Sequence, residues 1–200
     1  MKLPLAFYQR EDVVTAAREL LGKYLFTCID GVISGGYIVE TEAYNGVADR
    51  AAHSYGGRLT PRTKPMFENG GIAYVYLCYG IHEMFNIVVS AEGDPRAVLI
   101  RAVHPTEGLE AMLYRRNMMA VKPNITAGPG SVAQAFGISR KLNGVSLLSD
   151  VLWLEDRALV FPDESVAAVP RIGVAYAKED ALLPYRFYVK GDIYVSKPNK

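Results

Sequence analysis

The feature that most restricts the fold lies near the N-terminus, where two runs of branched and aromatic residues, 23–29 and 32–41, are joined by Asp30-Gly31. An Asp-Gly pair between such runs is the strongest short-range signal for an antiparallel hairpin, because both turn residues must take positive φ. A second pair of runs, 72–79 and 83–90, is divided by Gly80, and a further apolar run covers 97–103. Parallel sheets need a crossover helix between successive strands, and no such alternation appears here. The sheet this chain builds is therefore largely antiparallel.

Helices enter at the margins. Val13, Val14, Ala17, Leu20 and Leu21 form an i, i+1, i+4, i+7, i+8 stripe over 11–21, with Glu11 and Asp12 at the positive end of the dipole and Gly22 as the stop. Helices are also predicted over 106–116 and over 129–136, the second ended by Gly137. Short β-like pieces fall near 151–154, 171–176 and 185–195. The stretch 45–71 is rich in turn residues and long for a loop in a compact domain, which points to function or disorder. No internal repeat, low-complexity tract or linker divides the chain. The expectation is one domain over residues 1–200 of α+β class, with a curved, largely antiparallel sheet flanked by helices and a protruding β-hairpin.

Charge narrows the partners. Lys and Arg total 22 against 21 Asp and Glu, a net charge of +1, so a uniformly basic coat for nucleic acid is excluded while local patches are not. Arg58, Arg62 and Lys64 stand together without an acid, as do Arg115, Arg116 and Lys122. The segment from 185 carries Arg186, Lys190, Lys197 and Lys200 against Asp192, whereas 150–164 holds five acids and one arginine. One basic and one acidic face follow, and a phosphate backbone suits the first. The two cysteines, Cys28 and Cys78, are far apart and exclude a zinc ribbon or disulfide scaffold, which makes a reduced cytosolic compartment the default. The apolar stretch 3–8 is too short for a signal peptide, and no run approaches a membrane span.

The chemistry concentrates in a few places. On a strand, Glu40 and Glu42 share one face, followed by Tyr44. Two like charges held close suit a general base. Together with His53 they also allow a metal site, although His82 and His104 are isolated and no second histidine stands at ligand spacing. Tyr74 and Tyr76 share a strand face, Tyr74 as core, while Tyr79 sits at a hairpin turn, free to wedge into something else. Asn86 and Arg101 interrupt apolar runs, so each needs a partner: backbone or ligand for Asn86, a carboxylate such as Glu42 for Arg101. Stacking tyrosines, a carboxylate, a buried arginine and asparagine and a basic loop describe a pocket for a flat heterocycle, as in enzymes that flip a nucleotide out of duplex DNA.

On these residues the chain resembles the alkyladenine (3-methyladenine) DNA glycosylase family. The resemblance runs nearly end to end. It is carried most specifically by 40–44 (ETEAY), 51–54 (AAHS), 56–58 (GGR), 60–62 (TPR), 66–67 (MF), 74–76 (YVY), 79–80 (YG), 99–102 (LIRA) and 171–174 (RIGV). It implies a monofunctional hydrolase of base excision repair that flips alkylated or deaminated purines from duplex DNA and leaves an abasic site. By the same resemblance Glu42 activates water and Arg101 positions it. Tyr44 and His53 line one side of the flipped base and Tyr76 the other. The His53 backbone N–H meets the base edge, Asn86 crowds the amino group of normal guanine, and the backbone at Ile172 helps hold the water. Tyr79 fills the gap in the duplex, beside Ile81 and His82 where the family more often has a methionine and a tyrosine. Arg58, Thr60, Arg62 and Lys64 face the DNA. Gly128-Pro129-Gly130 carries a glycine where a serine is common. The resemblance further implies no metal and no organic cofactor, double-stranded DNA with damaged purines as partner, no membrane, a monomer, and residence in the cytoplasm or nucleoid, or in the nucleus, according to the organism. A non-catalytic nucleic-acid-binding domain and a metal-dependent hydrolase are the rival readings.

Overall fold

Residues 1–196 are described by the computed structural model; Lys197 and Lys200, counted above in the basic C-terminal segment, lie outside the described residues. The chain runs α1 (Leu5–Tyr8), α2 (Val13–Glu19), β1 (Tyr24–Ile29), β2 (Val32–Tyr44), β3 (Ala73–Cys78), β4 (His82–Val88), β5 (Ala97–Glu107), α3 (Leu109–Arg116), α4 (Pro129–Ala135), β6 (Leu152–Glu155), β7 (Val166–Val169) and β8 (Arg186–Val189), with single 3-10 turns between. All eight strands join one antiparallel sheet. Its order is β3-β4-β5-β2-β1-β6, with β8 alongside β2 and β7 outside β8. The fold is the expected α+β class with a curled antiparallel sheet.

The centre of this sheet is β2, the longest strand. Its first half pairs with β1 across the Asp30-Gly31 turn, where both residues take the left-handed conformation (φ 53° and 76°) that the sequence requires. Its second half lies between β5 and β8, with Glu40, Thr41 and Glu42 opposite Tyr188, Phe187 and Arg186. The β2–β5 register shifts once between Gly35 and Gly36 and then twice more in opposite senses: Ile38 pairs with Val103, Glu40 with Ala102 and Thr41 with Ile100. Val39 and Arg101 are thereby each left without an opposite residue, and such bulges re-aim side chains. The latter two shifts fall beside the two glutamates.

The helices pack on the face opposite those glutamates. Thr41 Oγ1 donates to the Ala17 carbonyl at 2.8 Å, tying α2 to β2 between Glu40 and Glu42. Asp12 caps α2 by accepting from Thr15 N–H at 2.9 Å, and Gly22, at φ 85°, releases the chain into β1. Ala17, Leu20, Ile38, Phe85, Ile87, Ile100, Val132 and Phe136 are fully buried in the main core.

Three boundaries differ from the sequence reading. Residues 106–107 extend β5, and α3 starts only at Leu109, after Gly108 turns at φ 71°. Residues 171–176 are not a strand; they form a turn that enters a 3-10 segment, Ala175–Leu182. β8 pairs on its outer side with β7, a strand the sequence reading did not include, whose residues (Val166-Ala167-Ala168-Val169) give little periodic signal. The stretch 45–71 is well placed rather than disordered. Asp49 accepts from the N–H groups of Asn45 and Ala51, each at 2.9 Å, and Ser54 Oγ donates to the Pro95 carbonyl at 3.0 Å. Met66 from this stretch is buried in a small cluster with Tyr74, Val88 and Ala97.

Candidate active site

Glu42 is the floor of the site. Its side chain is fully buried, and both carboxylate oxygens are engaged. Oε1 accepts from the Ile172 backbone N–H at 2.8 Å and lies 3.3 Å from Arg101 Nη1; Oε2 accepts from the Tyr44 hydroxyl at 2.9 Å. A buried carboxylate needs such partners, because desolvating a charge without them costs several kcal/mol. Tyr44 is fixed in turn: Arg171 lies over its ring at 4.9 Å and makes a bidentate pair with Asp49 at 2.5 and 2.9 Å. Arg171 also donates to the Ala43 carbonyl at 2.9 Å. One buried arginine thus clamps the 45–51 loop, the end of β2 and the turn that carries Ile172.

Above Glu42 opens a cleft of about 430 Å³, in the range of small-molecule sites, which Glu42, Tyr44, His53, Tyr76, Arg101 and Ile172 all line. Tyr79 and Tyr176 stand at its edge. Behind it a cavity of about 40 Å³ is closed by Met66, Tyr74, Asn86 and Ala97. The Asn86 side-chain N–H group donates to the Tyr74 carbonyl at 3.1 Å, so the backbone alternative raised by the sequence accounts for its amide nitrogen.

His53 departs from the expected placement. Its ring meets Tyr76 edge-on with centroids 4.6 Å apart, which puts it with Tyr76 rather than beside Tyr44. Its Nδ1 is 2.9 Å from the Tyr74 hydroxyl and its Nε2 is 3.4 Å from Arg62 Nη2. Arginine can only donate, which assigns the proton to Nδ1, donating to Tyr74. Burial, with Arg62 and Arg58 nearby, pushes His53 down from 6.5 to about 4, so the ring is neutral near pH 7. Among the described residues the His53 backbone N–H donates to no protein acceptor.

The basic loop is less uniform than its sequence. Arg58 and Lys64 are exposed, but Arg62 stacks on Tyr76 at 4.8 Å, and the Thr60 hydroxyl is turned inward to Thr63 at 3.1 Å. Arg58, Thr60 and Arg62 line a second cleft, which shares His53 and Tyr176 with the first. Lys64 lines neither. Tyr79 is 90% exposed at the tip of the β3–β4 hairpin, where the Ile81 N–H donates to the Cys78 carbonyl at 3.1 Å. Ile81 and His82 are exposed on the other side of that hairpin, lining a separate groove against α4. A Cβ at Gly130 would stand 3.0 Å from the His82 ring, so glycine there leaves the histidine its place. Among the described residues no three His, Cys, Asp or Glu side chains cluster as a metal site requires.

One residue at this site was not singled out from the sequence as functional, and another was singled out with a different partner. Tyr176, whose hydroxyl donates to the Ala51 carbonyl at 3.1 Å, walls both clefts and the small cavity, but it lies in the segment misread as strand. Glu40, read from the sequence as paired with Glu42 for general-base or metal chemistry, proves to be the nearer partner of Arg101, with Nε to Oε1 at 3.0 Å.

Comparison with known proteins gives the same direction. Residues 6–193 match the family model described as methylpurine-DNA glycosylase. A relative from Bacillus cereus (strain G9842), provisionally named 3-methyladenine DNA glycosylase, is 45% identical over 208 residues, covering 98% of this chain and all of the relative. Relatives of the same name from Bacillus thuringiensis (strain Al Hakam) and Bacillus mycoides (strain KBAB4) are each 43% identical, with the same coverage of both chains. With the match spanning the whole sheet and every residue of the cleft, the chain belongs to the methylpurine-DNA glycosylase family, enzymes that hydrolyse the N-glycosyl bond of alkylated bases in DNA.

Proposed function

We propose that this chain is a monofunctional, monomeric glycosylase that flips 3-methyladenine and related damaged purines, of the 7-methylguanine, hypoxanthine and ethenoadenine class, out of duplex DNA. The observation that carries this reading is Glu42: a fully buried carboxylate held on both oxygens at the floor of an aromatic cleft, with Arg101 beside it. The flipped base stacks between Tyr44 and the opposite wall of Tyr76 and His53, with the His53 N–H offered to its edge and Asn86 behind. A water seated against Glu42 and Arg101 gives its proton to Glu42 and attacks C1′, while the purine leaves with the electrons of the glycosidic bond. The carboxylate charge also favours the positive sugar that develops as that bond breaks. A base alkylated at N3 or N7 is already cationic and leaves readily; a neutral base such as hypoxanthine must gain a proton or have its departing charge stabilised. None of the residues lining the cleft is a lysine, which fits hydrolysis without a Schiff base.

Tyr79 occupies the gap that the flipped nucleotide leaves, and Arg58 and Lys64 meet phosphates. No helix among the described residues is long and apolar enough to cross a membrane, and we place the protein with DNA in the cytoplasm or nucleoid. The test is incubation with methylated duplex DNA, with and without a chelator. Release of free 3-methyladenine that is insensitive to the chelator, leaving abasic sites in unbroken strands, is the expected result. Binding without release would favour a non-catalytic domain; release that the chelator abolishes would favour a metal-dependent hydrolase.

A further inference from the structure

Glu40 is a second carboxylate with no exposed surface, two residues from Glu42 on the same central strand. Its Oε1 accepts from Arg101 Nε at 3.0 Å and from Arg186 Nη1 at 2.9 Å. Its Oε2 accepts from the backbone N–H of Ser196 at 2.8 Å. These partners come from β5, from β8 and from the C-terminal segment, so a single side chain gathers three separate parts of the chain. A buried ion pair is a poor way to gain stability, since an apolar replacement of similar volume is often as stable or more so. Something other than stability argues for a charge here.

The partner set says what. Arg101 presents three nitrogens to three different acceptors: Nε to Glu40, Nη1 at 3.3 Å from Glu42 Oε1, and Nη2 donating to Ser196 Oγ at 3.3 Å. The guanidinium is planar and its donors form a rigid fork, so fixing the Nε edge decides where Nη1 points. Arg101 is also the bulged residue of β5, with no opposite residue on β2, although its carbonyl accepts from the Gly128 N–H at 3.0 Å. Without Glu40, the nearest remaining carboxylate for this nearly buried cation is Glu42. A fork turned fully onto Glu42 would occupy the lone pairs that must accept the proton of the attacking water.

We infer that Glu40 is a positioning residue for hydrolysis: by holding the Nε edge of Arg101, with Ser196 closing the other side, it keeps Arg101 aimed past Glu42 instead of paired onto it. This rests on the proposed roles of Glu42 and Arg101. Glutamine at position 40 retains an oxygen for the two arginines but sets an N–H group against the Ser196 N–H, which loosens the clamp without emptying it. The experiment measures single-turnover base excision and, separately, affinity for duplex DNA containing an abasic site, in wild type and in Glu40→Gln. Misplacing a reacting group by about 1 Å costs up to about 10²-fold in rate, so a fall of about 10–10² is expected, with affinity held within about twofold. Ser196→Pro removes both the N–H that Oε2 accepts and the hydroxyl that accepts from Arg101 Nη2, at a half-buried site, and should move the rate in the same direction if Glu40→Gln does not fold. In an Arg101→Ala background Glu40→Gln should add no further loss, because both act through one group. Rates unchanged in both variants, or rate and affinity falling together with the folded fraction, would overturn the inference. A wild-type protein that releases no base would instead remove the hydrolytic reading on which it stands.

Discussion

Replacing Tyr79 with asparagine should leave the fold at least as stable and yet deprive the enzyme of its action on duplex DNA. Two hairpin turns of the sheet hold a left-handed pair with nearly the same φ: Asp30-Gly31 at 53° and 76°, in a two-residue loop, and Tyr79-Gly80 at 50° and 75°, in a three-residue loop. The first uses residues suited to the left-handed conformation, and the second puts a bulky side chain where asparagine or aspartate is preferred. A left-handed residue costs about 1–2 kcal/mol for an ordinary side chain, of which asparagine recovers about 0.5–1 kcal/mol. Tyr79 is 90% exposed, so its removal opens no core cavity. For a chain of this size about 1 kcal/mol moves the melting temperature by about 2–4 °C, and the variant should melt level with wild type or up to about 4 °C higher. Against this stands the gap in the base stack. Unstacking costs a few kcal/mol, and losing about 2–3 kcal/mol of compensation lowers the rate about 30–150-fold. The assay compares excision of one lesion in matched duplex and in single strand, where no gap has to be filled, alongside thermal melting. A variant that melts several degrees lower and excises normally would show Tyr79 to be a packing residue. Equal losses in duplex and single strand would also refute the wedge.

Three further outcomes are expected. Glu42→Gln keeps an oxygen toward Ile172 and an N–H group toward Tyr44 Oη, which can accept; excision should fall about 10²–10⁴-fold while abasic-site binding survives, and equal loss of both would make Glu42 structural. Binding to duplex should weaken steeply with salt despite the net charge of +1, and Arg58→Ala and Lys64→Ala should each reduce the log–log slope by about 0.9; an unchanged slope would take that residue off the DNA-facing surface. His53 stays neutral in the fold down to about 4 against 6.5 unfolded, so the unfolded chain binds a proton across that window that the folded chain refuses. Stability therefore falls as pH drops from 6.5 toward about 4, and His53→Gln should show a shallower fall in melting temperature than wild type over that range; identical slopes would remove His53 as the cause.

Local signals carried much of this into the sequence. Asp30-Gly31 announced its hairpin because a two-residue turn needs nothing beyond itself, and Glu40, Glu42 and Tyr44 declared a common face because strand period is two. Tyr79 was legible for the same reason: an aromatic beside a turn glycine has little domain left to bury it. The illegible parts depend on distant pairing. Arg186 reaches Glu40 from 146 residues away, and nothing near either residue announces the other. The paired bulges at Val39 and Arg101 cancel, so the hydrophobic pattern on both sides looks like an unbroken ladder. The contacts of His53 were not legible because its position is set by Tyr74 and Tyr76 on β3, not by its neighbours in the loop. Residues 171–176 carry a strand-like composition, but the backbone turns at Gly173, at φ 77°, while the Arg171 side chain reaches Asp49 and the Ala43 carbonyl.

These contacts also divide the labour of the site. The groups assigned to bond cleavage, Glu42 and Arg101, sit on β2 and β5 where they pair, and the partners that fix them include Glu40 on β2 and Arg186 on β8. Rigid strands hold side chains more closely than loops do, and a water attack at one carbon needs that. The groups assigned to reading the base are mixed. Tyr76 and Asn86 stand on the hairpin strands β3 and β4, whereas His53 and Tyr176 come from the 45–71 loop and the 3-10 segment. Loops accept substitution more readily than the strands they join. On the proposed roles, changes in His53 or Tyr176 should therefore alter which purine fits while Glu42 and its clamp remain in place, whereas a change at Glu40 or Arg186 should affect every substrate alike. The salt bridge of Arg171 with Asp49 is the hinge between the two halves, since it binds the loop that carries His53 to the turn whose N–H holds Glu42.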